Sequence, residues 1–350
     1  MDEALALARR GWGQTAPNPL VGAVLYVDDE KISDGFHARF GEAHAEAVAI
    51  ANAEARARGS TLYVTLEPCA HHGKTPPCTD AIIAAGIKRV VIATRDKNPV
   101  AQGGAEQLRA AGIEVDIGVR EKEAIELNAP FFHALESNRP WVTLKLALSL
   151  DGAIAGAERA GGWLTGDESR ETVQRMRAGS DAIAVGVQTA LADNPQLTAR
   201  TDPPPRIPPL RIVFDRGARL SSQSFLAQTA RDTPTMIVTA RSTRMPADLE
   251  SLGVEQLAAH DVGDALERLK GRGIMSVMVE GGAGLAASFL AGNYVDRLVI
   301  FRAPIILGEG ALGAFSGIAS QEVEHAPRFT LIDTSALGDD VMSVYAVRSV

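Results

Sequence analysis

The chain has 350 residues, which at roughly 150 residues per domain predicts two domains, each long enough to bury its own core. Hydrophobic residues make up 46% and charged residues 22%, with 33 Gly and 18 Pro; this composition excludes a disordered or collagen-like chain. Lys and Arg number 35 against 43 Asp and Glu, a net charge of -8, and 5% of the residues are aromatic. A nucleic-acid partner held through many phosphates or stacked bases is therefore not expected.

Membrane attachment and secretion are also not expected. No stretch approaches the ~18 consecutive apolar residues that a membrane span needs, and the opening MDEALALARR carries acids where a secretory signal carries basic residues. We therefore expect a cytoplasmic protein. The chain has two cysteines, Cys69 and Cys78, and a reducing compartment disfavours a disulfide between them. Their chemistry needs another explanation.

The first part of the chain alternates helix and strand signals. Helices are predicted over 2–10 and 44–59, the second rich in Ala and Glu and closed by Gly59. Short apolar or β-branched runs predict the strands LVGAVLYV, TLYVTL, KRVVIAT and IEVDIGV. This alternation indicates a mostly parallel sheet covered by helices.

The pattern lapses at 127–140, and the strand WVTLKLALSL follows. We place the domain boundary there, giving domains 1–138 and 139–350. The second part alternates again, with helices predicted over 168–178 and 261–270 between the strands SDAIAVG, LRIVFD, TMIVTA, IMSVMVE and DRLVIF. It is predicted to be a second α/β domain.

A candidate metal centre lies in the first domain. His44 and Glu46 begin a predicted helix, and Cys69 follows a proline after a strand, with Cys78 nine residues further on. A catalytic zinc takes three protein ligands and keeps a fourth position open to water, so His44, Cys69 and Cys78 are the candidate ligands. Glu46 suits an acid/base role beside the metal. Zinc deaminases use this pattern as H-x-E and P-C-x-x-C, with a shorter cysteine spacing than the one found here.

Three alternatives stay open for these residues. The segment AHHGKTPP between the cysteines contains His71 and His72, either of which could replace a ligand. The cysteines could instead be small core residues. A purely structural zinc is the third alternative, but it would usually close with a fourth Cys or His and would leave Glu46 unexplained.

A candidate nucleotide site lies in the second domain. The strand IMSVMVE runs into GGAGLAASFL, and residues 282–287 read G-x-G-x-x-A. Glycines between a strand and a helix let the backbone approach a phosphate, which the free N–H groups of the helix start then bind. A classical dinucleotide fold has this motif at its first strand, with an acid about 20 residues on. Because the motif comes late here, a simple packing turn is the alternative.

Four segments, TAPNPLVGAV, HAEAVA, TLEPCAHHGKTPPCTDAI and LKLALSLDG, resemble the bifunctional riboflavin-biosynthesis deaminase/reductase family (RibD-type). The resemblance covers nearly the whole chain, and the long cysteine spacing is its most specific part. It implies an α/β chain with a cytidine-deaminase-like three-layer N-terminal domain and a dihydrofolate-reductase-like α/β C-terminal domain. It further implies zinc, NADPH and a small phosphorylated pyrimidine substrate, and it leaves a homo-oligomer open.

The resemblance also implies site residues. The deaminase substrate would contact Asn18, His37 and Lys74. The cofactor would contact Ala147, Trp163, Thr189, Asp193, Gly282, Ala283, Gly284, Leu285, Ala286, Ala287 and Ser288. The reductase substrate would contact Lys145, Asp151, Gly161, Arg177, Leu197, Arg200 and Glu280. Gly161 departs from the small hydroxylated residue common in the family, and the sequence indicates no acid/base pair in this domain.

Two other functions compete with this interpretation. One is a nucleobase or tRNA deaminase whose second domain binds a nucleotide without catalysis; the acidic balance and the long cysteine loop disfavour it. The other is a zinc-stabilised binding protein that senses NADPH, which Glu46 disfavours.

Overall fold

The structure is a computed structural model that describes residues 1–71, 76–158 and 162–347. The chain forms two compact units, Met1–Ser137 and Asn138–Val350. Of the residues singled out above, His72, Lys74 and Gly161 lie outside the described ranges. Within those ranges, no helix is both long enough and apolar enough to cross a membrane.

The first unit alternates strands and helices as the sequence predicts. Its elements are α1 (Asp2–Ala8), β1 (Gly22–Val27), β2 (Glu30–Phe36), α2 (Ala45–Ala53), β3 (Thr61–Leu66), α3 (Cys78–Ala85), β4 (Arg89–Thr94), α4 (Gly104–Ala110), β5 (Glu114–Ile117), α5 (Glu121–Leu127) and α6 (Ala129–Glu136). The predicted strand TLYVTL coincides with β3.

The sheet of the first unit has five strands in the order β2-β1-β3-β4-β5. Strands β3, β4 and β5 are parallel, whereas β1 is antiparallel to both of its neighbours, so the sheet is mixed. Apolar side chains of α2, α3 and α4 pack on one face, and those of α1 and α5 pack on the other. The result is a three-layer α/β unit in which the ends of β3, α2 and α3 meet.

The second predicted helix is shorter than its sequence suggests. The α-helix ends at Ala53, and Glu54–Ala57 form a 3-10 turn that begins at a left-handed Glu54 with φ of 51°. Ala57 is buried and Arg56 donates a hydrogen bond to the Ile32 carbonyl at 3.0 Å. These tertiary contacts override the helix propensity of the last turns.

The second unit begins with a long strand. Its elements are β6 (Trp141–Leu148), β7 (Ala153–Ala155), α7 (Asp167–Ala178), β8 (Ala182–Gly186), α8 (Val187–Asp193), β9 (Leu210–Phe214), α9 (Phe225–Gln228), β10 (Thr235–Ala240), α10 (Ala247–Ser251), β11 (Glu255–Ala259), α11 (Val262–Gly271), β12 (Ser276–Glu280), α12 (Ala283–Ala291), β13 (Arg297–Arg302), β14 (Leu312–Gly313), β15 (Phe329–Leu337) and β16 (Asp340–Val347).

A nine-stranded sheet organises this unit in the order β11-β10-β9-β8-β12-β6-β13-β16-β15. The strands from β11 to β13 in that order are all parallel, and the β15–β16 hairpin adds an antiparallel edge. Apolar clusters on both faces bury the sheet under helices. The α/β class predicted for both halves is confirmed.

Candidate active sites

The three predicted metal ligands converge in the first unit. His44 immediately precedes α2, Cys69 lies just beyond β3, and Cys78 is the first residue of α3. One ring nitrogen and the two sulfurs all lie within 4.8 Å of one another. Within the described residues this is the group of His, Cys, Asp and Glu side chains with metal-holding geometry, and His71 does not belong to it.

The spacing of the three atoms fits zinc. His44 Nδ1 lies 3.2 Å from Cys78 Sγ and 3.6 Å from Cys69 Sγ. Zinc–sulfur bonds of about 2.3 Å and zinc–nitrogen bonds of about 2.0 Å make the edges of a tetrahedral site about 3.5 Å long. The three atoms therefore fit three corners of a tetrahedron, and the Cys/Cys/His donor set is one that zinc prefers.

The two thiols are prepared for a cation. The Cys69 pKa falls to about 4, because its sulfur accepts hydrogen bonds from the Cys78 side chain and from His44. Cys78 keeps its proton, since hydrogen bonding to Cys69 and burial raise its pKa. The Cys78 backbone N–H, at the N-terminus of α3, also donates to Cys69 Sγ at 3.4 Å. Without a metal the pair holds one thiolate, and a bound divalent cation would favour two.

Glu46 is a buried carboxyl beside this cluster. It sits on the first turn of α2 and its exposed fraction is 3%. Burial raises its pKa to about 7, and its carboxyl hydrogen-bonds the Cys78 side chain. A carboxyl group with a pKa near neutrality can both take up and release a proton, which is the property that general acid–base catalysis requires.

Asn18 and His37 lie close to the same cluster. Asn18 Nδ2 is 3.2 Å from His37 Nε2, and His37 Nδ1 is 3.1 Å from the Ala43 carbonyl oxygen. The carbonyl fixes the proton on Nδ1, so Nε2 accepts from the Asn18 amide. Burial lowers the His37 pKa, which favours this neutral form. The His37 and His44 rings meet edge to face with centroids 5.5 Å apart.

Two further residues lie near the cluster: Asp96, which the sequence did not single out, and His71, which was considered as an alternative ligand. Asp96, which follows β4, is buried, and burial raises its pKa, with the charges of Glu67 and Cys69 also contributing. His71 Nδ1 is buried and has no hydrogen-bond partner among the described residues. Asp96 is a single aspartate after a strand, and such a residue carries no sequence signal. It lies near Cys69 because β3 and β4, which precede the two residues, are parallel neighbours.

A large cleft lies at the carboxyl edge of the parallel strands in the second unit, with a volume of about 2110 Å³. A typical pocket for one small ligand measures roughly 300–1,000 Å³, so this cleft has room for two molecules. The predicted residues that line it are Lys145, Ala147, Trp163, Arg177, Thr189, Asp193, Leu197, Arg200, Glu280, Gly282, Ala283, Gly284, Leu285 and Ser288.

The glycine turn occupies the centre of this edge. Strand β12 ends at Glu280, and Gly282 precedes the first turn of α12, so the free N–H groups of the helix face the cleft. A Cβ on Gly282 would lie 2.9 Å from Thr189 Oγ1, whereas a Cβ on Gly284 would meet nothing within 4 Å. Although it comes late in the chain, β12 lies between β8 and β6. The turn is therefore central in space.

Three charged side chains meet on the floor of the cleft. Glu280 and Lys145 are paired positions on the parallel strands β12 and β6. Arg177, at the end of α7, binds the Glu280 carboxylate through two hydrogen bonds of 2.5 and 2.8 Å. Burial lowers the Lys145 pKa. Burial alone would raise the Glu280 pKa, but the charges of Arg177 and Lys145 and the hydrogen bond from Arg177 lower it. A buried lysine thus lies beside a buried Glu280–Arg177 ion pair on the floor of the cleft.

Four predicted residues lie at the exposed rim of the cleft or outside its lining. Trp163 is 77% exposed, and the Arg170 guanidinium lies 5.3 Å from its ring centroid. Asp151 does not line the cleft; it accepts hydrogen bonds from the Leu307 and Gly308 N–H groups at 3.2 and 2.8 Å. Two alanines of α12 also lie off the cleft, because they face the interior with exposed fractions of 0% for Ala286 and 7% for Ala287.

Some cleft residues carry no clear sequence signal. Arg216, Thr239 and Asp261 line the cleft from the ends of β9, β10 and β11. Sheet order determines which strand ends share a cleft, and separate strand patterns do not reveal that order.

Comparisons with known proteins match a family model to each of the two units. The family model of the RibD C-terminal domain matches residues 140–343, and that of the cytidine and deoxycytidylate deaminase zinc-binding region matches residues 1–94. The riboflavin biosynthesis protein RibD of Aquifex aeolicus is 42% identical over 345 residues, covering 98% of this chain and 96% of that protein.

Two solved structures share the whole architecture. Acinetobacter baumannii RibD superposes with a TM-score of 0.86 at 37% identity, covering 99% of this chain and 98% of that one. A Thermotoga maritima protein described as a diaminohydroxyphosphoribosylaminopyrimidine deaminase/5-amino-6-(5-phosphoribosylamino)uracil reductase gives a TM-score of 0.87 at 39% identity, covering 99% of this chain and 97% of that one. With its zinc-fitting cluster, its cleft and these full-length relatives, the chain belongs to the RibD family of bifunctional riboflavin-biosynthesis deaminase/reductases.

Proposed function

We propose that the first unit removes the amine from 2,5-diamino-6-(5-phosphoribosylamino)pyrimidin-4-one. The second unit then reduces the ribosyl group of the product to ribityl with NADPH. The single observation that carries the first step is the approach of His44, Cys69 and Cys78 within 4.8 Å beside the buried Glu46. The match of residues 140–343 to the RibD C-terminal domain disfavours a deaminase with a non-catalytic second domain.

Glu46 is proposed to move protons in the first reaction. Zinc, when bound by His44, Cys69 and Cys78, lowers the pKa of water at its open position toward ~7. The reaction exchanges an amine for an oxygen, so water loses two protons while the ring nitrogen and the departing ammonia need them. Glu46, with a pKa of about 7, can carry each proton in turn.

The deaminase substrate is proposed to lie against Asn18 and His37. Both side chains belong to a hydrogen-bonded chain that ends at the Ala43 carbonyl, so their polar atoms have fixed directions. The neutral His37 ring suits an uncharged pyrimidine base. Lys74 is proposed to hold the phosphate.

Lys145 is proposed to act as the proton donor of the second reaction. NADPH, when bound, supplies a hydride to C1′ of the ribosyl group, and its phosphates would lie on the N-terminus of α12. As the bond between C1′ and the ring oxygen breaks, that oxygen must take a proton. The Lys145 ammonium releases its proton more easily than an exposed lysine because burial lowers its pKa.

Arg200 is the proposed phosphate ligand in the cleft. Its Nη1 donates only to Gln196 Oε1 and Thr198 Oγ1, both at 3.1 Å, and among the described residues it has no carboxylate partner. Arg177 differs because its charge is compensated by Glu280. An exposed guanidinium without a carboxylate partner is a suitable group for binding a phosphate ester.

The proposed function is tested by incubating the chain with the phosphorylated diaminopyrimidine, with and without NADPH, and analysing the products by mass spectrometry. We expect exchange of NH for O without NADPH, and a further gain of two hydrogens with it. NADH in place of NADPH tests the cofactor assignment. Release of no ammonia by a zinc-loaded chain would overturn the proposal for the first unit, and absence of the reduced product would overturn that for the second.

A further inference from the structure

A second buried glutamate lies just before the Cys69 ligand. The Glu67 side chain is 1% exposed, and both of its oxygens accept backbone hydrogen bonds from distant parts of the chain. Oε2 accepts from the Asp96 N–H at 3.1 Å, and Oε1 accepts from the Ala105 N–H at 2.9 Å. The Glu67 N–H in turn donates to the Thr94 carbonyl at 3.0 Å. The residue is thus attached at three points to the stretch that runs from the end of β4 to the first turn of α4.

The next residue makes a close backbone contact with the same segment. A Cβ on Gly104, the first residue of α4, would overlap the Pro68 carbonyl oxygen. Gly104 has no left-handed backbone angle, so the space that it leaves, rather than its conformation, explains the glycine. The Ala70 N–H donates to the Ala101 carbonyl at 3.3 Å and completes the attachment.

These contacts surround Cys69 on both sides. Glu67 and Pro68 precede it and Ala70 follows it, so residues 94–105 hold the backbone on both sides of the ligand. The Cys69 carbonyl itself accepts hydrogen bonds from the Thr79 N–H at 3.3 Å and from the Thr79 hydroxyl at 3.4 Å. In this arrangement the Cys69 sulfur lies 3.6 Å from His44 Nδ1. Arg95 Nη1 lies 3.8 Å from Glu67 Oε1 and partly compensates the buried charge.

We propose that Glu67, together with Gly104, is a positioning residue of the metal centre that fixes the Cys69 sulfur at bonding distance from a zinc shared with His44 and Cys78. Glu67 does not touch the metal or the substrate. It acts through the backbone of Cys69, in the way that supporting groups around metal ligands usually govern affinity. The inference rests on the proposed zinc centre.

The test compares full-length variants by zinc affinity, measured by competition with a chromogenic chelator, and by the thiolate-to-cobalt charge-transfer band after cobalt substitution. Glu67→Gln keeps the size of the side chain but replaces one acceptor oxygen with an NH₂ group. One of the two N–H groups, that of Asp96 or that of Ala105, then loses its acceptor. We expect about a 10-fold loss of zinc affinity or more and an altered cobalt band. Gly104→Ala removes no hydrogen-bonding atom of Glu67 but adds a Cβ that would overlap the Pro68 carbonyl oxygen, and we expect the same direction of change.

The matched control is Glu106→Gln. Glu106 lies on α4 and pairs with Arg95 at 2.9 Å, but its side chain is 57% exposed. We expect unchanged zinc affinity and an unchanged cobalt band. Unchanged zinc affinity in both Glu67→Gln and Gly104→Ala would overturn the inference. A loss of zinc affinity in these two variants that is no larger than the loss in Glu106→Gln would also overturn it. If the unsubstituted chain binds no zinc at this site, the proposed function fails instead, so the two failures are distinguishable.

Discussion

Lys145 and Glu280 occupy paired positions on two parallel strands, β6 and β12, that are neighbours in the nine-stranded sheet. Their side chains share the floor of the cleft, where Arg177 neutralises the carboxylate. Lys145 lies beside this ion pair, and burial lowers its pKa.

Lys145→Met is expected to abolish most of the reduction while leaving the cleft filled. The thioether occupies similar space but has no proton to donate, so the rate of NADPH oxidation with deaminated substrate should fall by about 10²–10⁴-fold. Stopped-flow absorbance measures the rate, and ammonia release by the first unit is the control. A rate within a few fold of the unsubstituted chain would exclude Lys145 as the proton donor.

The reduction should slow as the pH rises. Burial lowers the Lys145 pKa, so the ammonium is lost below the ordinary lysine value of about 10.4. Between the folded and the unfolded pKa of Lys145, the unfolded chain holds this proton and the folded chain does not. The contribution of Lys145 to folding stability therefore rises with pH across that range. Unfolding consequently does not explain the loss of reductase activity. The check is a pH profile of kcat. In Lys145→Arg the alkaline limb should disappear; its persistence would assign it to another group.

Glu46→Gln is expected to stop ammonia release and retain zinc. The amide is isosteric but cannot take up a proton, so we expect a fall of about 10²–10⁴-fold with unchanged metal content. Glu54→Gln, an exposed position after the same helix, is the matched control. The reductase half-reaction should be unaffected in both variants, and loss of both reactions without unfolding would contradict the division between the units.

Cys78→Ser is expected to release the metal. The serine hydroxyl is a poor zinc ligand, and the remaining imidazole and thiolate do not complete a three-ligand site. We expect zinc, measured by elemental analysis, to fall from about one per chain toward none, with a lower unfolding temperature of the first unit. Chelation of the unsubstituted chain should reproduce both effects. Full metal content in the variant would exclude Cys78 as a ligand.

Gly284→Asp is expected to weaken NADPH binding without destabilising the fold. A Cβ at this position would meet nothing within 4 Å, and a carboxylate on the first turn of α12 is favourable to the helix. It would, however, repel a phosphate at the same N–H groups. We expect the dissociation constant, measured by fluorescence titration, to rise about 10-fold, equivalent to about 1.4 kcal/mol. Gly284→Asn is the uncharged control, and equal affinities in the two variants would argue against a phosphate there.

The local sequence patterns predicted helices and strands well where the intrinsic propensity of a segment and its burial in the fold favour the same secondary structure. TLYVTL and TMIVTA match β3 and β10, and the helix predicted over 168–178 is one residue longer at its start, as α7. The three candidate metal ligands could also be named, because the chain has two cysteines and a catalytic zinc needs three ligands, and the structure brings these three side chains together.

Relationships that depend on strand order could not be predicted in the same way. Lys145 and Glu280 are far apart in the chain and become neighbours only because β12 inserts between β8 and β6. The family resemblance assigned every residue of 282–288 to the cofactor, including Ala286 and Ala287. On a helix, however, successive side chains point in different directions, and these two face the core.

Each unit is a continuous stretch of chain, and every residue assigned to one site lies within its own unit. Translation of a single message therefore delivers the two catalysts in a fixed one-to-one ratio. Two separate polypeptides would need coordinated expression to achieve the same balance between making the deaminated product and consuming it.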